Sequence, residues 1–299
     1  MTTPAAAGTS IDSRSGSAAP RVPFELSVGV DCALGFTLLA WVAWRVVLER
    51  TAATTSTPAL HYAVHLAATV PALYFTCICV HDAVHGVLLR DARANQLAGF
   101  IMSLGIGLPF AVLQHTHLHH HRTVGTEHDP ERVLYGASPW GLPLLLPVVP
   151  ALYARFLMRL HTRALLLTAV HCTAVGAALV FSGPHLVIYW AIPAALATGW
   201  FGFTTVYVPH CQHRGVLMRY MCAHSGYHDD HHRDPRFPFS QYVPLRAWHL
   251  AHGAIPTFRA EPAVLALLSR RVSLGAPVHA ARLVARAVQP SAPAPGQRT

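Results

Sequence analysis

Lysine is absent from this sequence: all 22 basic residues are arginine, set against 13 acidic ones, and charged residues make up only 12% of the chain. So little charge in 299 residues that are 53% hydrophobic excludes an ordinary soluble domain and points to a membrane protein. No basic stripe interleaved with aromatics lies outside the segments that flank apolar runs, which argues against nucleic acid as a partner. The net charge of +9 suits a membrane surface instead. Cysteine offers little: Cys32, Cys77, Cys79, Cys172, Cys211 and Cys222 form no CxxC pair and no regular spacing, and they read as small buried hydrophobes with reduced thiols. A haem-type HPGG sequence is missing, and Gly105-Ile106-Gly107 is too short for a dinucleotide fingerprint. Residues 1–23 contain no apolar run of signal-peptide length. They and residues 289–299 read as disordered cytoplasmic tails on one domain, residues 24–288.

What the chain does have is apolar length. Leu26 to Leu48, Ala59 to Val80, Ala164 to Ser182 and Leu186 to Val208 each approach the roughly 20 helical residues that cross a hydrocarbon core. Leu97 to Leu113 is shorter and holds Gly99, Gly105, Gly107 and Pro109, so it reads as a re-entrant or interfacial hairpin. Val133 to Leu157, interrupted by Pro139, Pro143, Pro147 and Pro150, is placed at the interface. With the N-terminus inside, only Arg45 and Arg50 fall near the outer face and every other arginine is cytoplasmic. The expected fold is therefore an all-α integral membrane protein with four transmembrane helices in two hairpins, re-entrant or interfacial helices, and a cytoplasmic histidine-rich cap. A bacterial inner membrane, with both termini and the cap cytoplasmic, is the expected setting.

Histidine is the other excess, with 22 residues, many of them clustered. His81 and His85 are spaced to face one way on a helix at the end of the second span, and Gly86 follows as its terminator. His117, His120 and His121 form an HxxHH triad, with His115 and His119 as an alternative HxxxH pair. His228, His231 and His232 repeat the HxxHH spacing after the last span. Eight imidazoles exceed what one four-coordinate zinc uses, so two metals are expected. Imidazole suits iron, zinc, copper and nickel, and spacing does not choose among them. Context favours iron, because a site at the end of an apolar bundle suits redox attack on a lipid-like molecule, which zinc does not perform.

Asp82, Asp229 and Asp230 are candidates to hold the ligands' second ring nitrogens, or else solvated or capping groups. Asp129-Pro130-Glu131 reads as a turn or helix start, and Asp31 as an interfacial residue. The lone His61, His65, His171 and His185 read as packing residues, and His249, His252 and His279 as surface residues.

These motifs resemble the membrane fatty-acid desaturases and their relatives, the β-carotene ketolases and hydroxylases. The likeness covers most of the chain from about His81 to Leu245. HDAVHG at His81 looks like a first histidine box. His117, His120, His121 and Arg122, with Gly125-Thr126 and Asp129-Pro130-Glu131, are similar to the ketolase-type second box. Tyr207-Val208-Pro209-His210 looks like the family's exit from the fourth span. Tyr227-His228-Asp229-Asp230-His231-His232, with Pro235, Pro238 and Pro244-Leu245, is similar to the third box and its trailer. Thr123 and Phe239-Ser240 depart from the ketolase pattern, which bears on the substrate more than on the metal.

The resemblance implies a di-iron centre (two Fe ions) that takes O2 as co-substrate, with His210 as a further ligand and His224 as the second choice for one. It also implies an external electron donor, a ferredoxin with its reductase. The expected activity is oxidation of C–H bonds in a lipid-like substrate, by fatty-acyl desaturation or hydroxylation. The alternative is a carotenoid ketolase or hydroxylase, and a metal-binding or metal-transport protein is the third reading. Box spacing does not separate desaturation, hydroxylation and ketolation; that choice is expected of pocket residues, sought at Trp190, Trp200, Phe201 and Phe203. A transporter predicts polar ligands near the bilayer midplane, where these spans carry almost none.

Overall fold

The computed structural model describes residues 30–51, 58–124, 126–132, 156–207, 228–242 and 245–246. His210, His224, both tails and most of the proline-rich stretch lie outside these residues, and His228 and Asp229 are described only as helix positions. The described residues contain helices and no strands: α1 (Val30–Thr51), α2 (Pro58–Val84), α3 (Ala92–Ile106), α4 (Phe110–Thr123), α5 (Thr162–Leu186), α6 (Ile192–Phe201) and α7 (His228–Arg233). Wider, π-helical turns flank α6 at Val187–Ala191 and Gly202–Tyr207. Among the described residues, three runs are long and apolar enough to cross a membrane: Asp31–Glu49, Pro58–Val84 and Thr162–Thr205. The protein is an all-α membrane protein.

The third run, 44 residues long, does not run straight. His171 Nδ1 lies 3.4 Å from Ser103 Oγ, and Trp190 Nε1 donates to Gly105 O at 2.8 Å. A straight helix would separate His171 and Trp190 by about 28 Å, yet they meet α3 two residues apart. The chain must reverse between them. Gly183 marks the place, with φ +60° and ψ −151° inside otherwise helical backbone. The result is a second pair of antiparallel limbs, matching the hairpin expected between the third and fourth apolar stretches.

Helix α2 is the central element and packs against α1, α3 and α6. It runs in the same direction as the last limb, since Tyr62 bonds Ile188 O and Tyr74 bonds Thr204. The wide turn at 187–191 has a local cause. Pro193 has no N–H to give the carbonyl of Tyr189, and His65 Nε2 donates to that carbonyl instead at 2.9 Å. His65 is fully buried and its role is structural, as the reading of lone histidines expects.

Helices α3 and α4 are bent by 104° across Gly107-Leu108-Pro109. Gly107 takes φ +72° as the cap of α3, a conformation that suits glycine. At the start of α3, Asn95 Nδ2 donates to Ala83 O at 2.8 Å. At the end of α4, the His117 ring lies 4.7 Å from that of His81. The pair thus enters and leaves at one end of the bundle, as a re-entrant hairpin does. Large apolar residues such as Trp44, Leu166, Val180 and Phe181 face outward, as lipid contact requires. At the end opposite the histidines, buried Glu49 is held by Arg45 at 2.6 Å and by His61.

Candidate metal centre

Three helix ends build the site. Helix α2 stops because Gly86 adopts φ +75°, with Gly86 N–H bonded to Ala83 O at 3.1 Å and Val87 N–H to Asp82 O at 3.0 Å. This left-handed cap leaves His81 and His85 together, their ring centroids 4.8 Å apart. The last turns of α4 bring His117, His120 and His121, and α7 brings His231 and His232.

The ligand atoms of His81, His85, His117 and His231 all lie within 4.8 Å of one another. His121 Nε2 is 3.2 Å from His117 Nε2 and 3.1 Å from His231 Nε2. His120 Nε2 lies beside His232 Nε2 at 3.3 Å. Nitrogens bound at about 2.0–2.1 Å to one ion sit roughly 3.0–3.4 Å apart when adjacent in its coordination sphere, so these spacings fit shared metals. His81 Nε2 and His85 Nε2 are buried and make no hydrogen bond. Burial and the surrounding imidazoles hold His85 far below its ordinary pKa, in the neutral form that ligates. The donor set therefore fits a metal.

The opposite ring nitrogens are held by carboxylates. Asp129 Oδ1 accepts from His120 Nδ1 at 2.8 Å, and Glu131 Oε1 accepts from His117 Nδ1 at 3.1 Å. The local reading of these acids as a turn or helix start missed this role. A usable signal was present: two acids in a chain with only 13, close behind a histidine triad. Asp82 lies 3.5 Å from His81 Nδ1 and accepts the Phe239 N–H at 2.9 Å, tying the end of α2 to the segment after α7. Asp230 is buried and paired with Arg246 at 3.3 Å. Tyr242, packed on the His231 ring, is pushed well above the usual phenol range by burial, with Asp82 and Asp230 adding to the shift.

His115 and His119 point the other way, toward Phe156, with ring centroids 6.3 and 6.1 Å from it. Of the two second-cluster alternatives, the fold brings the HxxHH set to His81 and His85. The four aromatic candidates separate. The Phe201 ring is 6.1 Å from that of His81, whereas Trp200 lies against Tyr74 and is 43% exposed. Trp190 is committed to the re-entrant turn through Gly105, and Phe203 sits half-buried in the last wide turn.

Comparison with known proteins agrees with this picture. The fatty acid desaturase family matches residues 56–259, more than half of the chain. A β-carotene ketolase of Paracoccus sp. (strain PC1) is 28% identical over 191 residues, which span 54% of this chain and 69% of that protein. A β-carotene ketolase of Paracoccus sp. (strain N81106 / MBIC 01143) is 28% identical over 182 residues, with the same coverage of both chains. No solved structure matches.

Proposed function

The chain belongs to the fatty acid desaturase family and is a membrane oxidoreductase of the di-iron desaturase type, and from that premise we propose that it holds two iron ions and uses O2 on a C–H bond of its lipid-like substrate. The observation that carries this reading is the partition of ring nitrogens. His81, His85, His117 and His231 form one group, His120 and His232 another, and His121 touches both. His228, His210 and, as second choice, His224 complete the ligand set.

When bound, the iron pair supplies the change in oxidation state that O2 needs to attack an unactivated C–H bond. The chain's own residues do the rest. Asp129 and Glu131 accept hydrogen bonds from the Nδ1–H groups of His120 and His117, so both rings turn Nε2 inward. Phe201 forms an apolar wall beside His81, whereas Trp200, packed on Tyr74, and Trp190, bonded to Gly105, stand apart from it. The substrate enters from the bilayer, and electrons come from an external ferredoxin and its reductase. The histidine end faces the cytoplasm of a bacterial inner membrane.

Between a fatty-acyl chain and a carotenoid, the two ketolase relatives favour the carotenoid. Expression in a host that makes both, with mass spectrometry of the lipids, tests this. The expected product is a carotenoid that has exchanged two hydrogens for an oxygen. A fatty acid short of two hydrogens, or carrying one added oxygen, moves the assignment to acyl chemistry. No O2-dependent product, or zinc alone in the purified protein, would overturn the oxidase reading.

A further inference from the structure

We infer that Glu131 is itself a metal ligand, giving Oε2 directly to the ion held by His120 and His232. This rests on the two-ion reading above and adds to an otherwise all-imidazole set. Glu131 is 2% exposed, and its two oxygens are used unequally. Oε1 accepts from His117 Nδ1 at 3.1 Å. Oε2 is buried with no hydrogen-bond partner and lies 3.5 Å from His120 Nε2.

The orientation of His120 makes that proximity informative. His120 Nδ1 donates to Asp129 at 2.8 Å, which turns Nε2 toward Glu131. That nitrogen faces a carboxylate oxygen on one side and His232 Nε2, 3.3 Å away, on the other. Electron-rich atoms gathered in a buried place repel unless a cation lies among them. A purely orienting role for Glu131 accounts for Oε1 and leaves Oε2 unexplained.

Charge points the same way. Neutral imidazoles do nothing to offset two buried cations, whereas a carboxylate removes a full unit of charge at the ion it touches. Of the acids around the site, Asp230 is committed to Arg246 and Asp82 to Phe239 N–H, while Asp129 accepts from His120 and from Glu131 N–H. Glu131 alone among these four has a buried oxygen facing a ligating nitrogen and no hydrogen-bond partner.

Glu131→Gln separates ligand from positioner. The glutamine oxygen still accepts from His117 Nδ1, so a positioning residue would tolerate the change with both ions retained. A ligand would not: full-length variant purified in detergent is expected to carry one iron per chain where the unaltered protein carries two, with helical circular dichroism unchanged. Infrared difference spectra of metal-free against iron-loaded protein give a second readout. Carboxylate stretches of 13C-glutamate-labelled protein shift on loading, and the shift disappears in Glu131→Gln. Two irons in the variant, or no glutamate shift in the unaltered protein, overturns the assignment. If Glu131→Gln fails to fold, the spectrum of the unaltered protein decides. Fewer than two irons in the unaltered protein means that the two-ion reading itself has failed, and this inference with it.

Discussion

At the scale of single residues, the site depends on which nitrogen each ring turns inward. His120→Ala or His232→Ala is expected to abolish iron loading and turnover, whereas His279→Ala leaves both intact; full activity in His120→Ala would break the ligand assignment. Asp129→Ala should lower iron affinity by about 10–100-fold, because it frees the His120 ring without removing a ligand. Equilibrium competition with a chelator measures this, and an unchanged affinity would deny Asp129 its orienting role. The histidines were legible in the sequence because spacings of three and four have one meaning on a helix. The acids were not. Whether Asp129 meets His120 depends on the turn after α4 folding back on that helix, and no local pattern encodes that return. Of the three aspartates singled out beforehand, Asp82 does lie 3.5 Å from His81 Nδ1 and also accepts the Phe239 N–H, while Asp230 pairs with Arg246.

At the scale of elements, the breaks matter as much as the helices. The re-entrant turn at Gly107-Leu108-Pro109 and the reversal at Gly183-Pro184 were readable, since glycine frees the backbone and proline restricts it by simple rules. The wide turn before α6 was not, because the Tyr189 carbonyl is satisfied from another helix. That dependence is testable. His65→Ala strands the Tyr189 carbonyl in an apolar environment, at a cost of about 1 kcal/mol. Pro193→Ala restores a backbone N–H to the same region, so the double variant should lose less than His65→Ala alone. Thermal unfolding in detergent measures both, and simple additivity would mean that the proline is not the reason for the histidine.

At the scale of the whole molecule, the proposal that the histidine end faces the cytoplasm rests on the arginine distribution. In a cysteine-free background, Thr55→Cys is expected to react with a membrane-impermeant maleimide added outside cells, and Arg90→Cys only after the membrane is opened. The opposite pattern would invert the topology and place the site on the far side. The joining of distant segments at this end also sets an order of events during synthesis. His231 meets His121 across 110 residues of chain, and the last limb lies between them. While that limb is still being threaded into the bilayer, α2 and α4 hold an incomplete set of rings with nothing from α7 to close it. If the site takes iron as proposed, its capture would belong to the end of biogenesis, after the ribosome has passed the last hairpin, and a nascent chain stalled earlier would compete poorly for the metal.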